Sequence, residues 1–330
     1  MSDATIYDVA KSANVSITTV SRVLNSPNQV NQTTRSRVLA AIDRLHFVPK
    51  AEAAARARKG TGRIGVLAPF ITYPSFVQRL RGVTAVADAD YELVIYNVDS
   101  ASRRDNYLAT LSVTRRLDGL IVMALPFDDE AGERLRAHHL ETVLIECVHP
   151  FFSSVEIDNI AGGALVARYL LARGHRRFGF VGDANVPNYA IHTSEQRLYG
   201  FQQELAKAGL PLGPEYIRLD DHGLDRARQQ AHRLLDLPEP PTAIFAPSDT
   251  QAMGVLKAAR ERGVAVPDEL AVIGFDDVEV AEYIGLTTVR QPLEESGRVA
   301  VELLLARLAD SARQTQRVML PLEIVQRETT

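Results

Sequence analysis

Hydrophobic residues recur at helical spacing near the N-terminus. From Thr5 to Ala13 the apolar side chains fall at positions i, i+3, i+4 and i+7, which places them on one face of a short helix. Asn14 follows where a helix can end in a left-handed residue, and Ser16 is a good N-cap for a second helix that starts at Ile17. The pattern predicts two short helices joined by a tight turn.

The second predicted helix has one apolar face and one polar face. Its inward residues are Val20, Val23 and Leu24, and its outward residues are Ile17, Thr18, Ser21, Arg22 and Asn25. A third helix is predicted from Gln32 to His46, with Val38, Ile42 and Leu45 closing a three-helix core. This arrangement is typical of a helix-turn-helix, whose second helix enters the major groove of DNA. Periodicity alone also fits a plain helical bundle.

Short apolar runs alternate with helical patterns from residue 63 onward. The first series is RIGVLAP, ELVIYN, DGLIVMAL and TVLIEC, and the second is RFGFVGD, AIFAPSD and LAVIGFDD. Continuous apolar strands that alternate with helices predict parallel sheets covered on both faces. Two such series predict two similar lobes, each a doubly wound α/β sheet.

Polar residues follow several of these strands. Because doubly wound sheets bind ligands outside the carboxyl ends of their strands, such positions are candidate ligand contacts. They are Pro69, Phe70, Glu146, Asp183, Ser248, Asp249, Asp276 and Asp277. A strand-end Asp or Ser can also cap the following helix, and for Asp249 in SDTQAMG capping is the favoured interpretation.

Charge is distributed unevenly along the chain. Residues 1–62 carry nine basic and four acidic side chains, a net charge of +5, which leaves −9 for the remainder of a chain whose total is −4. A basic segment attached to an acidic body is typical of a polyanion-binding module joined to another domain. Between them, KAEAAARARKG predicts a conditional helix that runs into a flexible joint, or a plain linker.

Several classes of protein are disfavoured by the sequence. No apolar run is long enough to span a bilayer and the first residues form no hydrophobic signal segment, so a cytoplasmic protein is expected. The single cysteine, Cys147, excludes an intrachain disulfide and is expected to fill the core. No nucleotide, zinc-protease or serine-hydrolase motif is visible, and the adjacent His138 and His139 do not share a helical face. We therefore expect no enzyme activity, cofactor or metal.

The stretch TIYDVAKSANVSITTVSRVLN followed by VNQTTRSRVLAAIDRLHFVP resembles the DNA-binding head of the lactose/galactose repressor (LacI/GalR) family almost position for position. The resemblance implies that Ile17, Thr18 and Arg22 contact base edges. It implies a second set that contacts or orients on the sugar-phosphate backbone: Tyr7, Ser16, Thr19, Ser21, Asn25 and Gln29. The chemistry agrees, because a guanidinium can bond guanine bidentately while hydroxyls and amides hold phosphates.

By the same resemblance, the segment after Pro49 is a hinge helix that enters the minor groove, where Ala53 and Arg56 would contact DNA. The family usually inserts a leucine between the central base pairs, and Arg56 occupies that position here. Arginine cannot act as the same apolar wedge, although it suits the negative potential of a narrow minor groove. The resemblance therefore leaves the kink of the operator undecided for this chain.

The body of the chain resembles the sugar-binding-protein-like core of the same family at EIDN, SEQRLYGF, PSDTQAMG and VIGFDD. Strand ends and resemblance together predict an effector-binding set: Phe70, Phe76, Glu146, Arg197, His222, Ser248, Asp249 and Asp276. Carboxylates, an arginine and aromatic rings suit a polyhydroxylated ligand, so a sugar is predicted. Purine-binding members carry the same Arg and Asp, and His222 fits a solvated surface position equally well.

The sequence as a whole predicts an all-α helix-turn-helix head at residues 1–48, a hinge at 49–62 and a two-lobed core of the type I periplasmic-binding-protein kind at 63–330. The predicted function is that of an allosteric repressor of carbohydrate genes, which binds a palindromic operator as a homodimer and responds to a small-molecule effector. A dimer is favoured over a tetramer because no leucine-heptad tail follows the last apolar segment. An enzyme, or a protein that only binds a sugar or nucleobase, would leave the basic head unexplained.

Overall fold

The computed structural model describes residues 4–25, 27–45, 47, 61–87 and 91–330. The chain divides into two compact units. The first unit comprises Met1–Thr72, Leu80–Val155 and Gly297–Val318, and the second comprises Tyr73–Arg79, Glu156–Ser296 and Met319–Thr330. Each unit is thus assembled from three separate stretches of chain.

The N-terminal head belongs to the first unit and contains three helices, α1 (Ile6–Ala13), α2 (Ile17–Asn25) and α3 (Gln32–Leu45). Thr5 and Asp8 form a capping box that opens α1, and Asn14 closes it in the left-handed conformation with φ at 50°. Ser16 opens α2, because its hydroxyl accepts a hydrogen bond from the backbone N–H of Thr19 at 3.1 Å. The predicted helix pair and its tight turn are confirmed.

An apolar cluster holds the three helices of the head together. Its fully buried members are Val9, Val20, Val23, Val38, Ala41 and Ile42. Leu24 and Leu45 pack against the cluster but are only partly buried. The predicted three-helix core is therefore confirmed, while His46, the predicted end of the third helix, lies outside the described residues.

A six-stranded sheet forms most of the rest of the first unit. Its strands are β1 (Arg63–Ala68), β2 (Glu92–Asn97), β3 (Gly119–Met123), β4 (Glu141–Ile145), β5 (Ser153–Glu156) and β11 (Arg317–Met319). They lie in the order β11, β5, β4, β3, β1, β2. Pairing among β1 to β5 is parallel, as the continuous apolar runs predict.

Four helices accompany this sheet along the chain: α4 (Pro74–Val86), α5 (Ala101–Thr114), α6 (Asp129–Ala137) and α12 (Leu293–Ala309). Val113 of α5 joins the apolar cluster of the head. Asp43 of α3 pairs with Arg134 of α6 at 2.8 Å and hydrogen-bonds His138, just after α6, at 2.8 Å. The head thus contacts the rest of the first unit, and α3 supplies the ion pair and the histidine contact.

The second unit contains another six-stranded sheet. Its strands are β6 (Phe178–Asp183), β7 (Ile217–Asp220), β8 (Ala243–Phe245), β9 (Ala271–Asp276), β10 (Thr287–Arg290) and β12 (Glu323–Val325). Its helices are α7 (Asn159–Ala172), α8 (Thr193–Lys207), α9 (Leu224–Leu235), α10 (Asp249–Arg262) and α11 (Glu279–Tyr283). The strand order is β12, β10, β9, β8, β6, β7, and only the pairing of β12 with β10 is antiparallel among the pairs described.

Neighbouring residues on the central strands of this unit pack in two different hydrophobic clusters. Phe245 packs in one cluster with Phe180, Phe201 and Phe275, whereas the preceding residue, Ile244, packs in a second cluster. Side chains alternate between the faces of a strand, so the two clusters lie on opposite faces of the sheet. Burial on both faces explains why these strands are continuously apolar.

Five short strands were not evident from the sequence pattern: β5, β7, β10, β11 and β12. Each has only three or four residues. The strands β7, β11 and β12 are partly exposed along their length, so no long apolar run marks them. Their pairing with longer strands, which the local pattern does not encode, is what makes them strands.

Candidate functional site

The outer face of α2 is open to solvent. Ile17 is 39% exposed, and Thr18 and Arg22 are also exposed, while Val20 and Val23 on the opposite face are fully buried. The buried pair fixes the helix on the head, so the N-terminal side chains of α2 project away from it. This is the geometry expected of a recognition helix that enters the major groove.

The predicted phosphate-contacting residues differ in their exposure to solvent. Tyr7 is 69% exposed, Ser16 and Gln29 are exposed, and Thr19 and Ser21 are half-buried. The hydroxyls of Ser16 and Thr19 lie 2.8 Å apart, so the helix start presents paired hydroxyl groups. The side chain of Asn25, and Ala53 and Arg56 of the hinge, lie outside the described residues. The DNA-contacting roles of all these residues stay predictions.

Arg197 lies on α8, and several groups of the second unit contact its side chain. Its Nε donates to Asn159 Oδ1 at 2.9 Å, and its Nη1 donates to the backbone carbonyl of Pro247. The guanidinium carbon lies 3.6 Å from the centroid of the Phe275 ring. Arg197 is only 4% exposed, so these contacts define one orientation for the guanidinium.

Asp276 ends β9 and faces the same arginine. Its Oδ1 lies 3.5 Å from Arg197 Nη1, and it accepts a hydrogen bond from the amide of Gln291. Burial raises the pKa of the Asp276 carboxyl, and the positive charge of Arg197 opposes that rise. Asp276 has φ at 118°, a backbone conformation that L-residues rarely adopt and that often marks a functional position.

Gln291 connects Asp276 to a second arginine. Its amide nitrogen donates to Asp276, and its amide oxygen accepts from Arg79 Nη2 at 3.0 Å. The guanidinium carbon of Arg79 lies 5.7 Å from the centroid of the Phe76 ring. The predicted residue Phe76 is thus joined to the Arg197–Asp276 pair through a buried polar chain.

A second polar group lies at the end of β6. Asp183 Oδ1 is 3.0 Å from His222 Nδ1 and accepts from Gln251 Nε2 at 2.8 Å. The ring of His222 stacks on Tyr73, with centroids 4.5 Å apart and an interplanar angle of 19°. Burial raises the pKa of the Tyr73 hydroxyl, so this ring remains a neutral hydrogen-bonding group at neutral pH. His222 is therefore half-buried in an aromatic stack, and the surface alternative does not hold.

The interpretation of Asp249 as the cap of α10 is wrong. Ser248 is the N-cap, because its hydroxyl accepts from the backbone N–H of Gln251. Asp249 is fully buried and accepts from the backbone N–H of Val278 at 2.8 Å and from the Thr288 hydroxyl at 2.5 Å. Burial raises the pKa of its carboxyl well above the usual value. Its predicted contact with an effector stays untested, and both of its oxygens have partners inside the unit.

Two predicted effector residues lie in the first unit, at strand ends of its own sheet. Phe70 follows β1 and has φ at 49°, and Glu146 follows β4 and has φ at 64°. Ala124, after the intervening strand β3, has φ at 53°. Three neighbouring strands therefore end in left-handed non-glycine residues, a strain that proteins concentrate at binding sites.

Sequence reasoning missed several residues of the second-unit site: Tyr73, Arg79, Asn159, Gln251, Phe275 and Gln291. The strand-end rule selects Asp183, Ser248 and Asp276, because each directly follows an apolar run, and their contact with an effector stays a prediction. It also selects Asp277, which instead pairs with Arg290 and Arg327 at 2.7 Å each. Asn159, which lies in EIDN, gave a signal only through family resemblance, since nothing local distinguishes it from a helix-start polar residue.

Within the part of the chain that the structure describes, no group of three or more His, Cys, Asp or Glu side chains is arranged to hold a metal ion. Over the same residues, no helix combines the length and the apolar character needed to cross a membrane. Cys147 is buried, forms no disulfide, and its thiol donates to the backbone carbonyl of Leu125 at 3.8 Å.

Two family descriptions match the chain. Residues 5–50 match "Bacterial regulatory proteins, lacI family", and residues 167–330 match "Periplasmic binding protein-like domain". The chain is 33% identical over 308 residues to the HTH-type transcriptional repressor CytR of Escherichia coli strain K12, covering 92% of this chain and 89% of that protein. It is 31% identical to the HTH-type transcriptional repressor PurR of Photobacterium profundum, covering 99% and 98%.

Two solved structures with bound sugars are similar to this chain. One is a complex of the transcriptional regulator CelR with cellobiose, at 27% identity and a TM-score of 0.70, covering 99% of this chain and 100% of that one. The other is a LacI family transcriptional regulator from Enterococcus faecium with bound ribose, at 28% identity and a TM-score of 0.71, covering 81% and 98%.

Proposed function

Since the chain belongs to the lacI family of bacterial regulatory proteins, we propose that it is a repressor whose binding to operator DNA is controlled by a sugar effector. The observation that carries the effector half of this proposal is the buried Arg197–Asp276 pair above the Phe275 ring. A guanidinium and a carboxylate can bond neighbouring hydroxyls, and a ring face can cover the apolar C–H surface of a sugar.

The DNA half of the proposal assigns base contacts to Ile17, Thr18 and Arg22 on the exposed face of α2. Two heads of a homodimer would meet successive major-groove faces of a palindromic operator, with half-sites about one helical turn apart. Such a regulator works in the cytoplasm, where the chromosome is. Sedimentation that gives a stable tetramer at micromolar concentration would contradict the dimer.

Coupling between the two halves follows from linkage. A sugar changes operator affinity only by its different affinities for the DNA-competent and the DNA-incompetent state, and operator DNA changes sugar affinity by the same factor. Effector binding would therefore either release the operator or strengthen repression, depending on which state the sugar prefers.

A purine or another nucleobase is the second candidate effector. The parallel stack of Tyr73 and His222 favours it, because flat aromatic side chains pair well with a flat heterocycle. Carboxylates and an arginine also occur in the purine-binding members of the family, so the two candidates share the Arg197–Asp276 pair.

The test is genomic footprinting of the tagged protein, followed by titration of the recovered site with and without ribose, cellobiose, hypoxanthine and adenosine. A palindrome whose affinity shifts about tenfold or more with one compound, about 1.4 kcal/mol of coupling, supports regulator and effector class together. If only hypoxanthine or adenosine shifts the operator affinity, the effector is a purine compound and not a sugar. Absence of a specific site under every condition contradicts the repressor.

Arg197→Ala is the matched variant for this test. It should bind the recovered operator as the unchanged protein does in the absence of added compounds, because Arg197 lies on α8 and not on the head. The response to the active compound should be lost. A variant that keeps the full response would place the effector elsewhere.

A further inference from the structure

The first turns of α7 contact the surroundings of Arg197 in three ways. Asn159, Gly162 and Gly163 follow one another at positions i, i+3 and i+4, so they share one side of the helix. Asp158 caps this helix by accepting from the backbone N–H of Ala161 at 2.8 Å, which fixes where the helix starts.

Asn159 contacts the side chain of Arg197 directly. Its Oδ1 accepts from Arg197 Nε at 2.9 Å, and Asn159 is itself only 7% exposed. Nε joins the aliphatic part of the arginine side chain to the planar guanidinium group. A fixed acceptor at this atom therefore sets the plane of the whole guanidinium.

Gly163 contacts the backbone of the same arginine. A Cβ at Gly163 would lie 1.9 Å from the carbonyl oxygen of Arg197, and a Cβ at Gly200 would lie 1.9 Å from the carbonyl oxygen of Ile160. These distances are far below any real contact, so α7 and α8 approach this closely only because both positions are glycine. Any side chain at Gly163 would displace α8 and Arg197 with it.

Gly162 makes room for the ring beneath the guanidinium. A Cβ at Gly162 would lie 2.8 Å from Cε2 and 2.9 Å from Cζ of Phe275. The guanidinium of Arg197 stacks on that ring. Side chain, backbone and supporting ring of one arginine are thus all placed by a single helical segment.

We propose that residues 159–163 are the positioning element of the effector site: they hold the Arg197 guanidinium in the orientation in which it faces Asp276, and they set effector affinity through Arg197. This inference rests on the proposed function, in which Arg197 binds the effector. Ordinary helix packing would require only small side chains here. The amide oxygen directed at Nε orients a functional group, which packing does not require.

The first experiment needs no effector. In deuterated full-length protein labelled with ¹⁵N-arginine, the Arg197 Nε–H resonance is identified by its loss in Arg197→Lys. Asn159→Ala should speed hydrogen exchange of this group by about tenfold or more, since it removes the hydrogen bond that protects it. Asn159→Asp should restore slow exchange, because it keeps an acceptor oxygen. Unchanged exchange in Asn159→Ala overturns the proposal.

Gly254→Ala is the control for Gly163→Ala. Gly254 lies at the crossing of α9 and α10, where a Cβ would be 2.5 Å from the carbonyl oxygen of Leu224. Both variants should unfold at a lower temperature, but only Gly163→Ala should speed exchange at Arg197 Nε–H. Equal acceleration in both, or in neither, contradicts a specific role of α7. If Gly163→Ala does not fold, the Asn159 variants decide the question.

Calorimetry with ribose and with cellobiose separates this inference from the proposed function. For a sugar that binds, Asn159→Ala introduced alone should weaken binding about tenfold. Added to Arg197→Lys, the same substitution should have no further effect on sugar affinity, because Asn159 acts through Arg197. Equal losses in both backgrounds contradict positioning. If neither sugar binds, the sugar proposal loses support, while the exchange experiment still decides the role of α7.

Discussion

The guanidinium carbon of Arg197 lies 3.6 Å from the centroid of the Phe275 ring. The residue after this phenylalanine, Asp276, is the acidic partner of the same arginine at 3.5 Å. Successive strand residues normally point to opposite faces of a sheet, and the φ of 118° at Asp276 marks where the chain leaves strand geometry. Two consecutive residues can therefore contact one guanidinium, one through its face and one through its edge.

Asp276→Asn should weaken sugar binding about tenfold or more, roughly 1.4 kcal/mol, because a neutral amide cannot pair with Arg197. Isothermal calorimetry with ribose and cellobiose measures the change. Asp277→Asn is the matched control, since Asp277 pairs with Arg290 and Arg327 instead. It should lower the melting temperature and leave sugar affinity unchanged. Equal effects of both substitutions on sugar affinity would show that Asp276 does not contact the sugar.

Arg22→Ala should cost roughly 1 to 3 kcal/mol of operator binding and relax specificity at one base pair, as expected for the loss of a bidentate contact to guanine. Ser21→Ala should weaken binding to all sequences alike, because a phosphate contact carries no base preference. Titration against operators with every single-base change measures both. A uniform loss for Arg22→Ala would show that it does not contact a base edge.

Asp249→Asn should change how stability depends on pH. Burial raises the pKa of this carboxyl in the folded protein, so the group favours folding below its unfolded pKa, and that contribution is lost as pH rises through the folded pKa. The amide can still accept from the Val278 N–H and can donate to Thr288. The variant should gain free energy of unfolding relative to the unchanged protein as pH rises from about 4 towards 7. Urea unfolding across this range measures the difference, and a constant difference contradicts the assignment.

Glu261 should contribute to acid sensitivity. Hydrogen bonds from His232 and Arg228 lower the pKa of this carboxyl to about 2 from an ordinary value of 4.5. Its stabilising contribution is present above the ordinary value and is lost as pH falls through about 2. Glu261→Gln should therefore lose less stability than the unchanged protein between pH 4.5 and pH 2, measured by urea unfolding. If both proteins lose the same free energy of unfolding over this pH range, the carboxylate makes no such contribution.

Asn14 should be replaceable by glycine but not by alanine. Its φ of 50° is left-handed, a conformation that costs an ordinary L-residue roughly 1 to 2 kcal/mol and glycine almost nothing. Asn14→Ala should lower the stability of the head by about 1 kcal/mol, while Asn14→Gly should preserve or raise it. Thermal unfolding followed by circular dichroism measures both. Equal losses would mean that the turn depends on the amide side chain.

The sequence alone determined the features that depend on local periodicity. Helical spacing of apolar residues located α1, α2 and α3, because one buried face is enough to define an amphipathic helix. Continuous apolar runs identified the central parallel strands, because burial on both faces leaves no polar alternation. The strand-end rule then selected Asp183, Ser248 and Asp276 as candidate ligand contacts, since these residues directly follow such runs.

Only the tertiary structure decided which of these side chains meet. Arg79 and Gln291 are 212 residues apart in the chain and hydrogen-bonded in the fold, and Asn159 and Arg197 are 38 apart. No local period encodes such pairs, because packing of elements from distant stretches creates them. The same holds for Asp249: its sequence context fits a helix cap, and contacts from Val278 and Thr288 turn its carboxylate into the core instead.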